Sequence, residues 1–248
     1  MIKEALQYIV DLRSPERHQI GGCEYADKAL SPVMNPIVGS VQVGTLTGLL
    51  GLLEASLEDL KPEAVFLHVV SHADVRLLEL ASDNWKRRVE IARARWEDPV
   101  KYPFGSWLAP EDFVIKLQSC FVHDAYDDLQ SLIALCSSLA SEAVATADDD
   151  GFSQTATVRR GVVIKDNRRI TPRVKLAPFR MFREVEQVAS EFLFRLRGGG
   201  DGEAPECALF EADGGKWRID AVQAVRDYLT GKLESSTIAG LDGIPVVA

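Results

Sequence analysis

VFLHVVSHADVRLLEL, residues 65–80, decides the fold class. Val65 to Val70 is a β-branched and aromatic run of strand length. Ser71-His72-Ala73-Asp74 reads as its turn, and Val75 to Leu80 returns as a second strand. Working outward, Trp85 to Trp96 mixes charged and apolar residues. Arg87, Val89, Ile91, Arg93 and Arg95 hold the odd positions, and Arg88, Glu90, Ala92 and Ala94 the even ones. Neither face is purely apolar, so a strand with one wet face is expected, placed at a sheet edge where it can pair with a neighbour.

Upstream, Ile2, Leu6, Ile9 and Val10 recur at helical spacing until Ser14-Pro15 stops them. His18 to Tyr25 reads as a hairpin around Gly21-Gly22, and the prolines of residues 31–39 predict an extended loop. Thr45 or Thr47 can cap a helix running to Leu57, with Leu46, Leu49, Leu50 and Leu53 inward. Downstream, Pro110-Glu111-Asp112 is a helical first turn, proline needing no donor there and the acids suiting the helix dipole. Phe113, Leu117, Cys120 and Phe121 form its stripe. Asp124 is read as the cap of a second helix bearing Leu129, Leu132, Ile133, Cys136 and Leu139.

After Ser141 the pattern turns to hairpins. The expected turns are Asp148 to Gly151, Asp166-Asn167, and Ala212 to Gly215, the last leading into a strand over Lys216 to Ile219. Glu191 to Arg197 is a further strand. Asp220 then caps a helix with Ala221, Val225, Tyr228 and Leu229 inward, and Ile244 to Val247 is a terminal strand. This order lacks the βαβ alternation of a doubly wound sheet. It predicts one α+β domain over residues 1–248, a largely antiparallel sheet built from hairpins with helices packed on one side. The change of pattern near 141 separates a mixed helix-and-strand part from a hairpin-rich part. No period of 20–50 residues repeats.

The 248 residues are long enough to bury a sizeable core, and 46% hydrophobic with 26% charged residues is ordinary for a globular chain. A net charge of −9 gives no support to coating of nucleic acid by the whole surface. Cys23, Cys120, Cys136 and Cys207 are widely spaced without a CxxC pair, which favours buried thiols in a reducing compartment. The first seventeen residues carry acids and no small-residue cleavage site, and the longest apolar run, Leu46 to Leu53, includes two glycines. A cytoplasmic protein without membrane contact is expected.

Several chemical motifs resolve into ordinary structure. His68 and His72 lie four apart, but on a strand that spacing is about 13 Å, too far for one ion. Cys120, His123 and Asp124 bring three reactive types close together, yet Cys120 belongs to a helix stripe and no second cluster completes a site. The Asp148-Asp149-Asp150-Gly151 run has Arg159 where a calcium loop needs glutamate. Asp213-Gly214-Gly215-Lys216 lacks phosphate-loop spacing, and a hairpin turn accounts for it. Glu184 and Glu186 are read as solvated surface acids. No metal or cofactor and no catalytic residue is assigned.

One segment is less ordinary. Arg159, Arg160, Lys165, Arg168, Arg169, Arg173, Lys175, Arg180, Arg183, Arg195 and Arg197 face only four acids between 159 and 197, about +7 against about −16 elsewhere. Phe179, Phe182, Phe192 and Phe194 are interleaved. Bases with rings suit single-stranded nucleic acid. Alternation along strands equally puts the phenylalanines in the core and the arginines in water or against a subunit. The first nine bases, Arg159 to Arg183, are the candidate partner-binding residues under either reading.

TLTGLLGLLE (45–54), VVSHADVRLLE (69–79), FVIKLQSCF (113–121), LAPFRMFREVEQ (176–187), EFLFRLR (191–197) and CALFEADGGKWRID (207–220) resemble stretches of a group of uncharacterised phage and prophage proteins. The group has no established active site, so no residue role carries over. The resemblance implies an accessory or early-module protein in the host cytoplasm. A non-enzymatic role through homo-oligomeric assembly or a macromolecular partner is therefore the expectation. The alternative is a single-stranded nucleic-acid-binding protein of a recombination or replication module.

Overall fold

The computed structural model describes residues 2–12, 15–27, 36–55, 61–80, 87–97, 101–123, 126–141, 144–149, 154–160, 163–170, 172–198, 205–238 and 240–248, with the backbone alone at 10–12, 140–141, 144–149, 154–160 and 163–170. In chain order the first elements are α1 (Ile2–Leu12), β1 (Arg17–Ile20), β2 (Cys23–Ala26), β3 (Val41–Val43), α2 (Leu46–Ala55), β4 (Val65–Ser71), β5 (Asp74–Glu79) and β6 (Glu90–Arg95). Then come α3 (Pro110–Cys120), α4 (Asp127–Ser141), β7 (Val144–Asp149), β8 (Gln154–Arg160) and β9 (Val163–Ile170). The chain ends with β10 (Arg173–Leu176), β11 (Ser190–Arg197), β12 (Glu206–Glu211), α5 (Lys216–Glu234) and β13 (Val246–Val247). The class is α+β, with most strand pairs antiparallel.

The hairpin at 65–80 is the centre of a five-stranded sheet, ordered β13-β4-β5-β6-β3. Its inward residues Val65, Leu67, Val69, Val75 and Leu77 are essentially inaccessible, and the residues between them are partly exposed except Phe66, which is buried with Arg88 over its ring. Ala92 and Ala94 of β6 continue that face, covered by Leu46, Leu49 and Leu53 of α2 and by Trp217, Ala221, Val225, Leu229 and Leu233 of α5. The other face is charged: Arg93 and Arg76 hold Asp74, and Arg76 also reaches Glu90. The edge position expected for 85–96 is corrected, because β3 pairs parallel on β6 and makes it interior. A three-residue strand beside prolines leaves little period-2 signal to read.

A second core lies between helices α3 and α4 and the three-stranded sheet β10-β11-β12. Phe113, Leu117 and Cys120 of α3 and Leu129, Leu132, Cys136 and Leu139 of α4 face Phe192, Phe194, Leu196, Cys207 and Leu209. Along β11 burial alternates strictly, with Phe192, Phe194 and Leu196 inside and Glu191 and Arg197 exposed. Met181, Phe182, Val185 and all of α5 belong to the first core although they follow the second in sequence. No single cut of the chain separates the cores. The sheet β7-β8-β9 is a meander of its own.

Turn chemistry was read correctly at Gly21-Gly22, where φ values of 61° and 84° suit the mirror-image turns of hairpins. Two expected turns are corrected. Asp166 and Asn167 pair with Val158 and Thr157, so β9 runs straight through them. Neither residue is glycine, the one that takes positive φ without steric cost, and the ladder to β8 prevails. Lys216 to Ile219 is the first turn of α5 rather than a strand. Asp213, not Asp220, is the cap: its carboxylate accepts from the Gly215 and Trp217 N–H groups, while Asp220 pairs with Lys216 one turn on. The Asp148–Gly151 turn and Asp124 lie wholly or partly outside the described residues.

Candidate functional site

The basic segment does not form one surface. Arg159 and Arg160 end β8, and Lys165, Arg168 and Arg169 lie on β9, with Arg168 opposite Ala156 and Arg169 opposite Thr155 in the backbone ladder. Arg173 pairs with Glu191 and Arg197 with Glu206, while Lys175 sits over the Tyr126 ring. Arg183 covers the ring of Phe179, 3.4 Å from its centroid. Phe182, Phe192 and Phe194 are wholly buried, which leaves Phe179 as the accessible ring of the four.

Arg180 departs furthest from a surface base. It is 9% exposed, and it donates from Nη1 to Glu211 Oε1 at 2.9 Å and from Nη2 to Ser190 Oγ at 2.7 Å. Its guanidinium lies 3.6 Å from the centroid of the Trp217 ring. The loop that carries it is held by Gln187, which accepts from the Arg180 N–H and donates to the carbonyls of Phe182 and Val185. Burial pushes the guanidinium down to about 10, opposed by Glu211 and Asp213, so it stays charged at neutral pH.

Above Arg180 and Trp217 opens a cavity of about 460 Å³, at the junction of the two cores. Its walls come from the β4–β5 turn (His72), the 101–104 segment (Tyr102), the 178–180 loop (Phe179) and the start of α5 (Arg218). The His72 and Trp217 rings meet edge to face at 4.9 Å. Because Asp213 occupies the α5 N-terminus, those amides are not offered to a ligand. Lys101 and Arg218 are exposed at the cavity and make no ion pair among the described residues. Arg180 Nε and Trp217 Nε1 are buried donors without a protein acceptor among the described residues.

Sequence reasoning missed this cavity, since its residues come from segments far apart in the chain. It also missed Glu184, read as a solvated acid, whose Oε1 accepts from the Leu46 and Thr47 N–H groups and caps α2. His68 lies on β4 and His72 in the following turn, as the sequence reading has it. His123 Nε2 donates a hydrogen bond to the Gln118 carbonyl at 2.6 Å. Among the described residues no group of three or more His, Cys, Asp or Glu is placed to hold a metal.

Burial, and then the Arg180 and Arg218 guanidiniums, hold His72 below its ordinary value of 6.5. Between that folded value and 6.5 the unfolded chain binds a proton that the folded chain refuses, so stability is lost as pH falls below about 6.5. His72→Phe is expected to flatten that part of the profile. Urea midpoints from pH 7 to pH 5 for both proteins are the measurement; superimposable slopes would remove the assignment.

A second feature lies at the N-terminal end. Ile2, Leu6, Tyr8 and Ile9 of α1 are 58–80% exposed. Among the described residues, Ile20, Ile37, Val38 and Val41 are further exposed large hydrophobics in the N-terminal part of the chain, although single exposed apolar residues are ordinary on any surface. No helix among the described residues is long and apolar enough to cross a membrane. No family model, curated protein or solved structure matches the chain.

Proposed function

We propose that this chain is a non-enzymatic phage or prophage accessory protein that works by self-assembly, two or more copies joining through their N-terminal segments. The observation that carries the reading is the uncovered apolar stripe Ile2, Leu6 and Ile9 of α1. A second copy is the occupant with the best fit. Each copy brings both a basic segment and an acidic remainder, and isologous pairing of α1 buries the same residues on both sides. The helix alone is about 16 Å long, less than a stable interface needs. Ile20 of β1, Ile37, Val38 and Val41 on the open edge of β3 are further exposed apolar residues that such an assembly would bury. Light scattering across protein concentrations tests it: a mass of at least twice 27.3 kDa is expected, and 27.3 kDa at every concentration overturns it.

A second reading, binding of single-stranded nucleic acid, is favoured by five bases placed along β8 and β9. Fluorescence anisotropy of a labelled oligonucleotide should then weaken steeply with salt, and reversing Arg168 and Arg169 should reduce the salt slope by about 2. A flat titration at low salt sinks this reading and leaves self-assembly standing.

A further inference from the structure

The cavity over Trp217 differs from the self-association surface in both place and chemistry. Its rim carries Lys101 and Arg218 without acidic partners among the described residues, while its one lining acid, Glu211, is held by Arg180. The local balance is therefore positive in a chain that is negative overall. Its walls are rings: Trp96, Tyr102, Phe104, Phe179 and Trp217 all contribute. A volume of about 460 Å³ falls within the size of small-ligand sites. Rings favour a flat apolar body, and the two rim cations favour an anionic group attached to it.

The chemistry of the wall sharpens the choice. Arg180 Nε and Trp217 Nε1 belong to the same wall and lack protein acceptors among the described residues. Both atoms are closed off from the cavity, so what this wall offers a ligand is ring faces and the fixed positive charge of Arg180, which suit an electron-rich heteroaromatic ring better than a plain hydrocarbon. Arg180 cannot turn away, because Glu211 and Ser190 fix its other two nitrogens. We propose that this cavity binds one nucleotide: a heteroaromatic base against the Trp217–Arg180 wall, with its phosphate toward Lys101 and Arg218. A free nucleoside monophosphate and the terminal nucleotide of a single strand present the same chemistry.

The experiment is isothermal titration calorimetry of the full chain with the four nucleoside monophosphates, the matching nucleosides, inorganic phosphate and a five-nucleotide single strand. At least one monophosphate should bind, its nucleoside and inorganic phosphate each about tenfold more weakly. Lys101→Ala with Arg218→Ala should weaken the monophosphate about tenfold or more, and both are exposed, so circular dichroism should be unchanged. Reversal of Arg168 and Arg169 should leave monophosphate binding intact, which separates this site from the β8–β9 bases. Binding of the short strand alongside the monophosphate assigns the site to strand ends; its absence assigns free nucleotide. No heat with any monophosphate at millimolar concentration overturns the proposal. So does equal binding of inorganic phosphate, or affinity unaltered in the double variant.

Discussion

Phe192→Ala is expected to cost about 3–5 kcal/mol of stability, among the largest losses for one truncation in this chain. Phe192 is fully buried, its ring stacked on Phe104 at 5.1 Å between centroids and edge-on to Phe121 at 6.3 Å. The Arg180 guanidinium also lies 5.8 Å from its centroid. Removing the ring therefore loses buried area, leaves a void, and removes contacts with Phe104 and Arg180, which line the cavity over Trp217. For a chain of this size the melting temperature should fall by about 10 °C. Phe179→Ala, at a half-buried ring lying under Arg183, should cost about 1 kcal/mol or less. Thermal melts of the two variants separate a core role from a stacking-platform role. A Phe192 variant as stable as the parent would place that ring at the surface after all.

The second large effect is expected at the N-terminal helix. Leu6→Glu combined with Ile9→Glu puts two charges in the middle of the exposed stripe. In a paired assembly those charges would be desolvated against their own copies, at a cost of several kcal/mol. The assembled form should then give way to a 27.3 kDa species at micromolar concentration, read by light scattering. Both positions are already more than half exposed in one chain, so the monomer fold should be untouched. Unchanged circular dichroism with a lost assembly supports the self-association reading. An assembly that survives both charges means that α1 is not what holds it.

Much of the fold was legible from local pattern. The hairpin at 65–80, the stripes of α3 and α4, and the alternation of β11 were all readable. Each is a run in which burial repeats at 2 or 3.6 residues, and burial is what selects side-chain type. The misreadings arose where one local pattern serves two structures. Lys216-Trp217-Arg218-Ile219 alternates like a strand, and Asp213-Gly214-Gly215 is as good a hairpin turn as a helix entry. What decides is Trp217, whose ring packs in the first core at the head of the stripe formed by Ala221, Val225, Leu229 and Leu233. That stripe runs at helical spacing from Trp217 to Leu233, and a four-residue strand pattern cannot compete with it.

The sequence by itself determined the α+β class and the segregation of charge along the chain. Only the tertiary structure decided which charges meet and which stand alone. Arg180, one of the eleven bases between 159 and 197, becomes a buried, ion-paired support because Glu211, Ser190 and Trp217 pack around its loop. Lys101 and Arg218, neither of them in that basic segment, become the cations at the cavity. Charge and ring count are properties of a segment, so they can be read along the chain. Burial and pairing are properties of contacts between segments far apart in sequence, and those exist only once the two cores have packed together.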